Sequence, residues 1–168
     1  MPAQDIILSS VSRYFSEHTD KLQLLCDICS GQSVVSLRLL DWLCTNYAKS
    51  TCNSFTDESN VELYHKYKNN LKGFGKRYFD PFCRRQTFEF KVSNVSMKTT
   101  AGQLNFFKWC FENKVVDFAI QHKALIDTHM NSKMRQAKRA PKKRRMHLST
   151  LASNHCHKRL KRIRVSFS

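Results

Sequence analysis

SVVSLRLLDWLCTNYAK, residues 33–49, decides the class of fold. Val35, Leu39, Leu43 and Tyr47 recur every four residues, with Leu37, Leu40 and Cys44 beside them. Arg38, Asp41, Thr45 and Lys49 fall on the opposite side of a helical projection. An apolar face this wide belongs to a helix packed into a core. The stretch therefore predicts a helical domain with a sizeable interior.

The flanks extend that reading. Before the stretch, Ile7, Val11 and Phe15, then Leu22, Leu25 and Ile28, predict two short helices broken near residues 18–20. Asp20 is the expected N-cap of the second, and Gly31 its stop. After the stretch, residues 50–60 read as a polar loop. Tyr64, Tyr67, Leu71, Phe74 and Tyr78 then step by three and four along a second amphipathic helix, with Lys68, Lys72 and Lys76 as a separate stripe. Gly73 and Gly75 weaken its last turns, and Pro81 ends it. Residues 87–92 alternate in the manner of a strand. Thr100 and Gln103 have capping-box spacing ahead of Leu104, Phe107 and Phe111. Asn113 marks a break before a helix that carries Val116, Ala119 and Ile120 and runs to about Met130. Ile163, Val165 and Phe167 alternate with Arg162, Arg164 and Ser166, a terminal strand able to pair with 87–92. The expected fold is α+β and mainly helical: a compact helical domain with a small antiparallel β element and a basic C-terminal extension. Its expected divisions are a globular domain (1–130), a basic mobile linker (131–147) and a basic C-terminal segment (148–168).

Charge separates these parts. Of the 168 residues, 29 are Lys or Arg and 13 Asp or Glu. Residues 1–130 hold 16 of the basic and all 13 acidic side chains, whereas 131–168 hold 13 basic and no acidic ones. A segment so cationic seeks a polyanion. KMRQAKRAPKKRR (133–145) has the clustering of a nuclear-import or nucleic-acid-binding segment, for which counterion release supplies sequence-independent affinity. A tail kept only for solubility is less apt, since acidic residues serve solubility at least as well. No amphipathic apolar face accompanies the charge, which disfavours a membrane role. No apolar run approaches the roughly 20 residues of a membrane span. Asp5, and the lack of a basic residue ahead of the first apolar ones, argue against a secretory signal. The seven cysteines, an odd number set mostly in apolar patterns, read as reduced thiols.

GKRYFDPFCRR (75–85) crowds four cations and three aromatics around a proline. Tyr78, Phe79 and Phe82 read as the end of the buried stripe. Arg84 and Arg85 stand either as phosphate contacts or as a solvated rim. Cys26 and Cys29 form a C-x-x-C, but no second pair accompanies it, and His155, Cys156 and His157 lie more than a hundred residues away. Small thiols on a helix face fit better than structural zinc. Residues 100–130 have the outline of a helix-turn-helix, yet residues 114–127 offer too few outward polar groups for groove reading. No nucleophile–base pair or phosphate-gripping glycine loop is present, and Asp41 and Asp80 read as ion-pair partners of nearby arginines.

SLRLLDWLCTNYAKS (36–50), KRYFDPFCRR (76–85), TTAGQLNFFKWCFENKVVDF (99–118) and KRIRVSF (161–167) together resemble a small basic protein family of large nucleocytoplasmic DNA viruses. The resemblance spans roughly residues 33–167. It implies a viral origin and an intracellular life cycle, in the virion or in the nucleus or cytoplasm of the infected cell, and no particular activity.

The expectation is thus a non-enzymatic viral protein that binds nucleic acid, DNA in preference to RNA, with little sequence dependence and no cofactor. The expected contacts are Lys68, Lys72, Lys76, Arg84, Arg85, Lys138, Arg139, Lys142, Lys143, Arg144, Arg145, Arg162 and Arg164. The alternative is a virion structural or scaffolding protein whose basic arm meets capsid or membrane partners, without integral membrane association.

Overall fold

A computed structural model describes residues 3–52, 58–84, 86–92 and 95–139. Helices α1 (Ala3–Glu17) and α2 (Thr19–Ser30) come first. Next are α3 (Leu37–Trp42), a π-helical turn (Leu43–Tyr47), α4 (Ala48–Cys52) and the long α5 (Glu58–Tyr78). Strands β1 (Phe88–Val92) and β2 (Val95–Thr99) precede α6 (Ala101–Glu112), α7 (Val115–Gln121) and α8 (Lys123–Arg139). The mainly helical class with a small antiparallel sheet is the one expected.

Helix α6 is the centre of the core. Nine of its residues are buried, among them Leu104, Phe106, Phe107, Trp109 and Phe111. So many apolar side chains must be enclosed, and α1, α5 and α7 pack against the helix, leaving a polar strip of Asn105, Lys108 and Glu112. From α1, Phe15 sets its edge against Phe111 and Phe90, both at 6.3 Å between ring centres.

The decisive stretch forms its helix with one irregularity. The helix starts at Leu37 rather than 33, because the Ser36 hydroxyl caps it by accepting the Leu39 N–H at 3.2 Å. A strict spacing of four outruns an α-helical turn of about 3.6 residues. The π turn absorbs that excess, with the Ala48 N–H bonded to the Leu43 carbonyl, and keeps Leu39, Leu43, Cys44 and Ala48 all inside.

Several local expectations change. Asp20 does not cap α2; His18 stands at that position, without a side-chain cap. Its Nδ1 donates instead to the Tyr14 carbonyl at 2.9 Å, and its ring stacks on Tyr14, so aromatic packing sets the corner. Gly31 stops α2 as expected, at φ 79°. The partner of β1 among the described residues is β2, in the register Phe88↔Thr99 to Val92↔Val95. The terminal strand proposed at 161–167 lies outside the described residues. Phe90, Val92 and Thr99 face inward while Glu89, Lys91, Ser96 and Lys98 face out. The helix expected to end near Met130 is divided at His122 and then continues to Arg139, so 131–139 are helical where the sequence suggested linker.

Candidate functional site

The segment from Lys76 to Arg84 is held by the first turn of α6. Gly75, at φ 66° and ψ 168°, breaks α5 in a conformation essentially confined to glycine. The chain then turns inward, so Phe74 stays exposed while Phe79 is buried against Phe106 at 5.4 Å and Trp109 at 5.5 Å. Three residues of α6 grip the backbone that follows. The Gly102 carbonyl accepts the Asp80 N–H at 3.3 Å, Asn105 Nδ2 donates to the Tyr78 carbonyl at 2.8 Å, and Gln103 Nε2 donates to the Pro81 carbonyl at 2.9 Å. Half of the expected capping box forms, the Thr100 hydroxyl accepting the Gln103 N–H at 3.1 Å. The reciprocal half does not, because the Gln103 side chain is engaged by Pro81 and by the Thr99 hydroxyl at 2.8 Å.

This anchoring shapes one wall of a cleft of about 400 Å³. Lys49, Lys68, Lys76 and Arg84 line it, with Tyr64, Tyr67, Thr45 and the carboxylates Asp41 and Asp80. Asp80 is committed to its own loop: Oδ1 accepts the Phe82 N–H at 3.1 Å, and Oδ2 lies 3.7 Å from Arg84 Nε. The Arg84 guanidinium also sits 4.4 Å from the Phe82 ring centre. Burial raises the Asp41 pKa; Arg84 opposes the rise and Asp80 adds to it. Tyr67 is raised as well, chiefly by burial. Four cations against two carboxylates leave the cleft net positive.

Of the expected contact residues, Lys68, Lys76 and Arg84 meet at this cleft. Lys72, on the same stripe, is exposed and lies outside the cleft lining. Lys138 and Arg139 are exposed at the end of α8. Arg85, Lys142, Lys143, Arg144, Arg145, Arg162 and Arg164 lie outside the described residues. Among the aromatics of the segment, Phe79 is core, as expected, while Tyr78 and Phe82 are only half-buried. Sequence reasoning missed Lys49, which looked like an ordinary solvent-facing residue, and Tyr64, which looked like core stripe. The i, i+4 spacing of Asp41, Thr45 and Lys49 was the available signal.

A second hollow of about 250 Å³ adjoins Lys49 and is lined also by Trp42, Asn46, Ser50, His129 and Lys133. Here α8 docks through His129. Trp42 Nε1 donates to His129 Nδ1 at 3.0 Å, which leaves Nε2 to carry the proton and donate to Ser50 Oγ at 3.2 Å. The neutral ring is favoured: burial lowers the His129 pKa, and Lys133 lowers it further. The sequence offered no sign of this contact.

The C-x-x-C thiols serve packing. Cys26 donates to Met97 Sδ at 3.6 Å, and Cys29 accepts from Gln103 Nε2 at 3.6 Å. Burial, followed by Cys26 and Cys83, pushes the Cys29 pKa up to about 12, far from a reactive thiolate. Among the described residues no group of three or more His, Cys, Asp or Glu is placed to hold a metal ion.

Fold and cleft together define a small, mainly helical protein with a positively charged cleft. Among its described residues no helix is long and apolar enough to cross a membrane. Over residues 2–163 the chain matches a family of unknown function (DUF7197), and it belongs to that family. It is similar to "Uncharacterized protein L507" of Acanthamoeba polyphaga mimivirus, 30% identical over 148 residues, covering 82% of this chain and 57% of that one. The chain thus spans little more than half the length of this viral relative. No solved structure matches.

Proposed function

We propose that this protein binds nucleic acid, DNA in preference to RNA, without performing catalysis and largely without regard to sequence, in the virion or the infected cell. The observation that carries this reading is the meeting of Lys49, Lys68, Lys76 and Arg84 at one cleft, in a chain whose residues 131–168 add 13 cations and no acid. A net positive charge in a concave site focuses the field on an incoming anion, and the basic segment multiplies the phosphate contacts. The mechanism is counterion release, so affinity depends on salt more than on base composition.

A salt titration of the full chain on a fluorescent DNA tests it. The logarithm of the association constant should fall steeply and linearly with the logarithm of salt concentration. Removing residues 140–168 should flatten the slope without abolishing it, because the cleft and the α8 cations remain. A slope near zero for the full chain would sink the electrostatic reading.

A further inference from the structure

We infer that the cleft and the hollow beside it form one continuous track for a single-stranded nucleic-acid segment, joined at Lys49. This rests on the nucleic-acid reading above and narrows it to a strand type and a path. Lys49 is the shared element, since its side chain lines both concavities. On one side of it lie Lys68, Lys76 and Arg84; on the other lies Lys133. Further along α8, Arg135, Lys138 and Arg139 are exposed on the side of the helix away from Lys133, so the track itself ends at Lys133. A backbone laid along this path meets cations on both sides of Lys49.

Shape and aromatic content select a single strand. An unpaired nucleotide can enter a cleft of about 400 Å³, whereas duplex DNA keeps its bases stacked inside a stiff rod and reaches only the rims. Each concavity carries a half-buried aromatic on its wall, Tyr64 in the cleft and Trp42 in the hollow. Trp42 has already committed its N–H to His129, so its ring is what remains to offer a ligand. Cationic grooves interleaved with aromatic rings bind single strands with little sequence preference, because every base has a face to stack. The acids on the path weaken the attraction only in part: Asp80 is occupied by Phe82 and Arg84, and Asp41 is half-buried.

Tryptophan fluorescence of the full-length protein provides the test, because the chain has two tryptophans and Trp109 is buried in the core. A thymidine oligonucleotide of about ten residues should quench the emission, and Trp42→Phe should remove that quench and lower anisotropy-measured affinity, because phenylalanine offers a base a smaller stacking face. Lys49→Gln and Lys68→Gln should each flatten the single-strand salt slope by about 0.7, or about fivefold in affinity near 0.1 M salt. Lys66→Gln, on α5 but paired to Glu62 outside the cleft, should leave the slope unchanged. Salt-dependent binding with no Trp42 quench and no effect of Lys49→Gln overturns the track and leaves the broader reading standing. Equal affinity for a duplex of the same length, equally weakened by Lys49→Gln, overturns the strand selectivity. Absence of binding to either at low salt removes both proposals.

Discussion

Replacing Gly102 by alanine asks whether the segment 76–84 is architecture. A Cβ at this position would stand 2.9 Å from the Arg77 carbonyl oxygen and 3.4 Å from both the Phe79 nitrogen and the Tyr78 carbonyl carbon. All three are backbone atoms and cannot rotate away. Relief requires moving α6 from residues 77–81, which stretches the bonds to Tyr78, Asp80 and Pro81. Overpacking of this kind costs about 1–3 kcal/mol, and each weakened hydrogen bond adds up to about 1 kcal/mol. Alanine recovers up to about 1 kcal/mol through helix propensity. The net expectation is a loss of about 1–3 kcal/mol, or roughly 3–10 °C in Tm for a chain of this size. Gly73 is the control: it sits within α5, and a methyl group added there would meet nothing within 4 Å, so Gly73→Ala should gain up to about 1 kcal/mol. Urea and thermal unfolding of the full-length variants measure both. A Gly102→Ala protein as stable as wild type, or stabilised alongside Gly73→Ala, would refute the clamp.

Two pH effects follow from groups around the site. His129 has a lowered pKa, so the unfolded chain accepts a proton that the folded chain resists. Its stabilising contribution is complete above about pH 6.5, the ordinary histidine value, and is lost as pH falls through the lowered folded value. Hydrogen exchange in α8, corrected for intrinsic rates, should rise between pH 7.5 and 5 and become pH-insensitive in His129→Gln; equal protection at both pH values in the wild type counts against the docking role. Asp41 behaves with the opposite sign, because burial raises its pKa and ionisation therefore weakens the fold. A phosphate placed beside it raises that pKa again, so nucleic-acid affinity should climb as pH falls toward it. Asp41→Asn should bind severalfold more tightly at neutral pH, flatten this dependence and melt no lower than wild type. Persistence of the full pH dependence in Asp41→Asn would place its origin elsewhere.

Helix faces were legible because burial is periodic. Ile7, Val11 and Phe15 on α1, and Leu22, Leu25 and Ile28 on α2, announce their inward sides by spacing alone, and all are buried. The lysine stripe on α5 was equally plain, but spacing could not tell that Lys68 and Lys76 enter a cleft while Lys72 does not. That distinction depends on the break at Gly75 and on where Asp80 and Arg84 are carried. The Gln103 side chain illustrates the same limit. Its sequence neighbours suggest a capping box, yet a backbone carbonyl 22 residues away wins it. Local pattern ranks only the local partners, and a buried carbonyl left unsatisfied costs more than an exposed cap.

By itself, then, the sequence determined a mainly helical chain, its buried faces, and a separation of charge that points to a polyanion. Those properties belong to single segments: periodicity, capping chemistry and net charge need no partner to be read. Only the tertiary structure decided that Lys49 stands between two concavities, that His129 receives the Trp42 N–H, and that α6 buckles residues 77–81 to the core. Each of these joins side chains from elements far apart in sequence. Their meeting is set by how the core packs around α6, which no one segment specifies.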